Sequence, residues 1–297
     1  MEIYYTDHFV LPLPAGHRFP MRKYSLLREQ VVGFATNRLH VPDAASKREL
    51  GLAHCEDYVR RVQQGLLSTK EIREIGFPWS AQMVERSRRS AGATIGACRS
   101  ALLHGCGINL AGGTHHAYAE RGSGYCVFND SAIALRVMQQ EGLIRRGLVI
   151  DLDVHQGNGT AAILRHDPAH FTFSMHGGKN FPFRKEASDL DIELADDTGD
   201  TEYLDCLAHA LPGVFAAARP DLVIYLAGAD PLAADRLGRL ALSLAGLAAR
   251  DAMVFDACQR YGVPLAITMG GGYAEPIDAT VAVHAQTVRA AVTRHAR

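Results

Sequence analysis

Four short segments of this chain place acids, imidazoles and a phenol just where apolar runs end. Gly112-Gly113-Thr114 leads into the adjacent pair His115 and His116. Asp151, Asp153, His155 and Asn158 fall within one stretch, DLDVHQGN. Asp230 follows Ala-Gly-Ala, and Tyr273 follows Gly270-Gly271-Gly272. Asp153 and His155 are two apart, so on extended backbone both point to one side. An oxygen donor and a nitrogen donor there, with Asp230 from another segment, make a three-ligand metal set with an open position. That is the catalytic pattern, since structural zinc usually takes four ligands including cysteine. Alone, the D-x-H pair equally suits a buried Asp–His pair serving structure. Asp151, another two residues back, faces the same way and is placed to orient a histidine from behind the ligands. His115 and His116 suit proton transfer, because imidazole titrates near neutral pH. Tyr273 either donates its phenol hydrogen bond to a developing oxyanion or packs behind a flexible glycine turn. Together these groups offer metal ligation, proton transfer and hydrogen-bond donation to an oxyanion.

Such residues act together only if the fold carries them to one rim. Apolar runs at 108–111, 148–154, 171–175, 222–226 and 264–269 read as buried strands. Amphipathic stretches at 81–103, 130–141, 160–165, 201–218 and 237–261 read as helices. Strands without polar alternation, separated by helices, predict a parallel sheet covered on both faces. In an open parallel sheet, ligands bind beyond the carboxyl ends of the strands. Four of these strand ends carry the unusual residues. No repeat, low-complexity tract or linker divides the sequence, so residues 1–297 read as a single α/β catalytic domain.

Composition narrows the class further. Lys plus Arg number 31 against 32 Asp plus Glu, a net charge of -1, which argues against direct nucleic-acid binding and against a membrane-surface role. No run approaches the roughly 20 apolar residues of a membrane span, and no signal peptide is evident in residues 1–14. The six cysteines form no C-x-x-C pair and read as small, reduced, buried side chains of a cytoplasmic protein. The arginines at 86, 88, 89 and 99 read as a solvated helix face.

Taken together, GGTHHA (112–117), GYCVFND (124–130), DLDVHQGNGT (151–160), FSMH (173–176), GADPLAADRLG (228–238) and GGGY (270–273) closely resemble the histone deacetylase superfamily. GHRFPM (16–21) and AHCEDYV (53–59) look like its N-terminal pattern, and GFPWS (76–80) is most like the class IV branch and its bacterial relatives. The resemblance implies the arginase–deacetylase fold, a three-layer α/β/α domain with a central, mainly parallel sheet of about eight strands. It implies a zinc-dependent amidohydrolase that removes acetyl or longer acyl groups from lysine side chains. Carried over residue by residue, Asp153, His155 and Asp230 hold Zn2+, with Fe2+ an alternative for that ligand set. His116 is the general base and then the acid; His115 is an electrostatic partner held by Asp151. Asn158 fixes the catalytic ring where many class I members use a second aspartate. Tyr273 polarises the carbonyl. Gly124, Tyr125, Gly271 and Gly272 line the acyl tunnel together with Phe181 or Phe183. Ser174, with Asp151, Asp153 and His155, matches a structural K+ or Na+ site.

Three rival readings remain. A dinuclear ureohydrolase of the same fold needs carboxylates that this chain replaces with Gly157 and Leu232. A silent acyl-lysine-binding protein has no use for a histidine pair. Deacetylation of a small acylated amine, such as an acetylpolyamine, would favour an acidic gate; Glu186, Asp189 and Asp191 supply one unless they form a solvated loop. Oligomeric state stays open.

Overall fold

The computed structural model describes residues 1–295. Its strands are β1 (Ile3–Tyr4), β2 (Leu39–His40), β3 (Cys106–Asn109), β4 (Gly147–Asp151), β5 (His170–Gly177), β6 (Leu190–Leu194), β7 (Leu222–Gly228) and β8 (Leu265–Gly270). They form one eight-stranded sheet in the order β2-β1-β3-β8-β7-β4-β5-β6, with every neighbouring pair parallel. The helices are α1 (Arg22–Ala35), α2 (Lys47–Leu50), α3 (Glu56–Gln64), α4 (Thr69–Ile75), α5 (Ala81–His104), α6 (Asp130–Gln140), α7 (Asn158–Leu164), α8 (Asp200–Ala218), α9 (Leu244–Tyr261) and α10 (Asp278–Arg294).

Successive residues of a strand face opposite sides, and the central strands use this to feed two cores. Leu148 and Ile150 of β4, Val223 and Tyr225 of β7, and Leu265 and Ile267 of β8 pack with α1, α8, α9 and α10. Val149, Ile224 and Ala266 pack on the other face, with α3, α5 and α6. Both faces are buried, so the strands read as unbroken apolar runs, and the three-layer α/β/α architecture follows. On β3, a Cβ at Gly107 would lie 2.1 Å from the Ala97 carbonyl oxygen. α5 therefore rests backbone to backbone on the sheet.

Several elements differ from the sequence reading, which did not anticipate helices α1 to α4 or α10. The apolar run at 148–154 leaves the ladder after Asp151, so Asp153 and His155 stand on a bend beyond the strand end, not on extended backbone. The bend is tied across the sheet, since Val154 N donates to Asp230 Oδ1 at 2.9 Å. The helix expected at 237–261 begins at Leu244, where Ser243 Oγ caps the N–H of Gly246. The residues before it form a loop whose Leu237 and Gly238 amides donate to Asp235. Strand β6 was not expected. Its Asp191 and Glu193 alternate with apolar residues because it is an edge strand, half covered. The two-residue strands β1 and β2 are too short for periodicity to reveal.

Two surface expectations also change. Arg86 does not belong to a solvated face: it is buried, its Nη1 donates to the Thr6 and Phe9 carbonyls, and its guanidinium lies 4.4 Å from the Tyr24 ring centroid. All six cysteines are free thiols; four are buried, Cys206 is half-buried and Cys55 is exposed. Among the described residues no helix is long and apolar enough to cross a membrane.

Candidate active site

Five adjacent strands, β3-β8-β7-β4-β5, open at their carboxyl ends onto one cavity of about 440 Å³. Its floor holds Asp153, His155 and Asp230, one candidate ligand atom from each lying within 4.8 Å of the others. His155 Nδ1 is 2.9 Å from Asp153 Oδ1 and 3.3 Å from Asp230 Oδ2. Both carboxylates are buried, and Asp230 Oδ2 has no hydrogen-bond partner. Burial alone would lower the His155 pKa, yet the two carboxylates raise it to about 10. Burial and the charge of Asp153 raise that of Asp230. Two desolvated carboxylates with one imidazole are thus short of positive charge, and a divalent cation satisfies that need.

The backbone opposite is shaped to leave room. Gly271 has φ 58°, and a Cβ there would fall 2.0 Å from Asp230 Oδ2. Only glycine takes this conformation without strain, and only glycine clears the carboxylate. The donor set and its cradle fit a metal ion.

The histidine pair follows β3 on the loop that Asp130 organises. Asp130, at the start of α6, accepts from the amides of Gly113 (3.1 Å) and Thr114 (2.7 Å). His115 Nδ1 donates to Asp151 Oδ2 at 2.7 Å, and His116 Nδ1 donates to Asn158 Oδ1 at 2.6 Å. Each ring is anchored through Nδ1, which leaves Nε2 on the cavity side; His115 Nε2 lies 3.9 Å from Asp153 Oδ1. The two rings differ in charge. Burial opposes protonation of His115, but Asp151 and Asp153 outweigh it and raise the pKa to about 9. His116 has no carboxylate partner, and burial, followed by the charges of His115 and His155, holds it well below its ordinary value. The environment thus favours the charged form of one imidazole and the neutral form of the other.

Tyr273 comes from the end of β8. Its N–H donates to Asp235 Oδ2 at 2.6 Å, and burial pushes its phenol pKa well above the ordinary value, so it stays a hydrogen-bond donor. Aromatic rings wall the cavity. Phe181 meets the His116 ring edge to face at 4.9 Å between centroids, and Tyr125 lies 6.2 Å from Tyr273. Tyr125 is held at φ 65°, with its N–H donating to the Ile75 carbonyl at 2.7 Å. Gly124 fits against the His116 ring, 2.7 Å from a would-be Cβ to Cδ2.

The arrangement can activate a water, donate to an oxyanion and shuttle a proton within one apolar-walled cleft. The histone deacetylase domain profile matches residues 17–289. The chain belongs to the histone deacetylase family. Members of that family are hydrolases acting on the amide bond of acetyl-lysine. An uncharacterized protein of Picosynechococcus is 45% identical, with 97% of each chain covered. Histone deacetylase 2 of Arabidopsis thaliana is 33% identical over 86% of this chain and 70% of its own. The crystal structure of an HDAC homolog from Aquifex aeolicus superposes with a TM-score of 0.81 at 24% identity, covering 97% of this chain and 83% of that one. The fold is therefore the family's arginase–deacetylase architecture.

Two residues expected at the tunnel stand elsewhere. Phe183 is 89% exposed and does not line the cavity, whereas Phe181 does. Gly272 faces away from the cavity, its would-be Cβ 2.2 Å from Thr280 Cγ2. The acidic gate is absent at Glu186, Asp189 and Asp191, none of which lines the cavity. Asp189 Oδ2 accepts from Thr172 N and Oγ1, and Asp191 accepts from Gln156 and Ser188. Ser174 pairs in register with Asp151, and its Oγ lies 2.9 Å from His176 Nδ1. Several cavity residues escaped the sequence reading, Tyr24, Arg73 and Glu74 among them; the most buried of the charged ones is Lys23, which donates to the carbonyls of Gly271 and Gly272 beneath Tyr273. A lone lysine near a helix start gives no sequence signal of that kind.

Proposed function

We propose that the protein is a metal-dependent deacylase of lysine side chains in proteins or peptides. The observation that carries this reading is the meeting of the Asp153–His155–Asp230 triad, the neutral His116 and the Tyr273 phenol around one cavity. A divalent cation in the triad, Zn2+ or Fe2+, supplies Lewis acidity, polarising an amide carbonyl and lowering the pKa of water to about 7. His116 Nε2 takes the proton of the attacking water. Tyr273 donates to the oxygen that becomes negative as the carbonyl turns tetrahedral. His116 then returns its proton to the departing amine as the C–N bond breaks. His115, kept cationic by Asp151, stabilises the negative charge without passing a proton. Phe181 and Tyr125 flank the apolar stem of the lysine, with Gly124 and Gly271 giving it clearance. A K+ or Na+ ion held around Asp151, Asp153, His155 and Ser174 would stiffen the loop bearing two of the ligands.

Asp189 and Asp191 are engaged by Thr172, Gln156 and Ser188 away from the cavity. Among the described residues Glu74 is the one lining carboxylate besides the ligands, which supports acyl-lysine over a polyamine with several extra ammonium groups. The test is a panel of lysine peptides carrying acetyl, lactyl, butyryl and myristoyl groups, run with and without chelator beside an acetylpolyamine. Chelator-sensitive hydrolysis of at least one peptide is expected. Inertness towards all peptides with metal bound would refute the reading.

A further inference from the structure

The ring of His116 is held from behind by a chain of hydrogen bonds that runs to the protein surface. Asn158 Oδ1 accepts from His116 Nδ1 at 2.6 Å, and Asn158 Nδ2 donates to the Tyr118 hydroxyl at 2.8 Å. That hydroxyl in turn donates to Glu186 Oε1 at 3.3 Å. His116, Asn158 and Tyr118 are buried, and Glu186 is half-buried. Both ends of the chain are clamped. Glu186 N donates to Gln156 Oε1 (2.9 Å), Gln156 Nε2 donates to the Glu186 carbonyl (2.6 Å), and Arg165 Nη2 lies 3.4 Å from the carboxylate. The Tyr118 ring sits 3.7 Å under the Arg121 guanidinium, and its carbonyl accepts from His54 Nδ1 at 2.9 Å.

An ionised carboxylate only accepts. The single hydroxyl proton of Tyr118 must therefore point at Glu186, and its lone pair at Asn158. That orients the amide with NH2 towards Tyr118 and oxygen towards His116. The imidazole then carries its proton on Nδ1 and keeps the Nε2 lone pair for the cavity. Without this arrangement the amide can turn over, since its oxygen and nitrogen are nearly isosteric. Nδ2 would then face Nδ1 and stabilise the opposite tautomer, which cannot accept a proton at Nε2. An aspartate at position 158 would need no such help, because both its oxygens accept.

We infer that Tyr118 and Glu186 are positioning residues that set the direction of this chain and, through Asn158, the tautomer of His116. The inference rests on His116 being the base of the proposed reaction. Tyr118→Phe keeps the ring under Arg121 and removes the acceptor of Asn158 Nδ2. It is expected to lower kcat on an acyl-lysine peptide about tenfold, the effect of one buried hydrogen bond, with KM changed less than twofold. In 15N-histidine-labelled full-length protein, the signal assigned to His116 by its loss in His116→Ala should move from Nδ1–H towards Nε2–H. Glu186→Gln, at a half-buried position that leaves the core intact, should give a smaller shift in the same sense. Adding Asn158→Asp to Tyr118→Phe should restore the proton on Nδ1, since a carboxylate only accepts, whether the ring is neutral or charged. If Tyr118→Phe retains the Nδ1–H tautomer, with or without a loss of kcat, the inference is overturned and the functional reading stands. If wild type hydrolyses no peptide, that reading falls, and the tautomer shift alone still decides this one.

Discussion

The two adjacent imidazoles differ by what stands behind each. Asp151 favours the charged form of His115, whereas His116 has only the neutral Asn158 behind it and burial favours its uncharged form. His116→Ala should lower kcat for deacylation by about 10²- to 10⁴-fold, the usual range for a general acid–base residue. Tyr273→Phe should cost about 10²- to 10³-fold, as for an oxyanion donor. Steady-state kinetics on the best acyl-lysine peptide checks both, and wild-type turnover in either variant would strike out the assigned role. Gly271→Ala tests the metal cradle separately from the chemistry. Its methyl would collide with Asp230, so bound metal should weaken about 10–100-fold, measured by competition with a chromogenic chelator. Gly262→Ala is the matched control: φ is 66° there, but nothing lies within 4 Å of the new methyl, so metal binding should be unchanged. His115, His116 and Tyr273 were legible in the sequence because each follows the end of an apolar run, whereas the roles of Asn158 and Gly271 rested on the family resemblance. Tyr118 and Lys23 were not legible, because their importance comes from what the fold brings beside them.

At the scale of elements, the site depends on loops fixed by buried polar side chains, and His54 is the clearest case. Its Nε2 accepts from Asn129 N at 2.9 Å, at the start of α6, and its Nδ1 donates to the Tyr118 carbonyl. Burial lowers its pKa from 6.5 to about 4. The unfolded chain therefore binds this proton more readily than the folded one between those two values. The stability that His54 contributes is full above pH 6.5 and falls as pH drops towards 4, by about 3 kcal/mol from this group. Urea midpoints across that window should fall with pH in wild type and less steeply in His54→Gln. A parallel or steeper slope in the variant would remove His54 from the account. The helices that alternate with the central strands were readable from the sequence, but the long α1 and α10 were not. α5 was found to within one residue at its end, and the central strands stood out as apolar runs. The edge strands were not readable: β1 and β2 are two residues long, and β6 alternates with charge. The start of α9 was misplaced because apolar Leu237 and Leu240 mimic helical spacing while serving the loop above the site.

Across the whole molecule, one buried ion pair joins α9, β7 and α10. Arg250 is fully buried and donates to Asp251 Oδ1 and to the Leu152 and Gly228 carbonyls, one residue before Asp153 and two before Asp230. Asp251 also accepts from Tyr225 and Thr287. Arg250→Met strands the carboxylate, so the protein should lose about 3–5 kcal/mol by denaturant unfolding. Adding Asp251→Asn should recover part of that loss, since contacting residues are not additive. A destabilisation under 1 kcal/mol would show the pair to be dispensable. The all-parallel sheet has a further consequence, in time. No two of its strands can zip together as neighbours in a hairpin, and β3 must wait for β8, the last strand made, before it gains its central partner. As the chain leaves the ribosome, Asp153 and His155 emerge well before Asp230, and Tyr273 comes last of all. A divalent cation would meet its full set of ligands only once β4 and β7 have paired. Added metal should leave the refolding rate unchanged in stopped-flow traces and slow unfolding instead. Were that so, the supply of metal would set how long the folded chain lasts and not whether it forms.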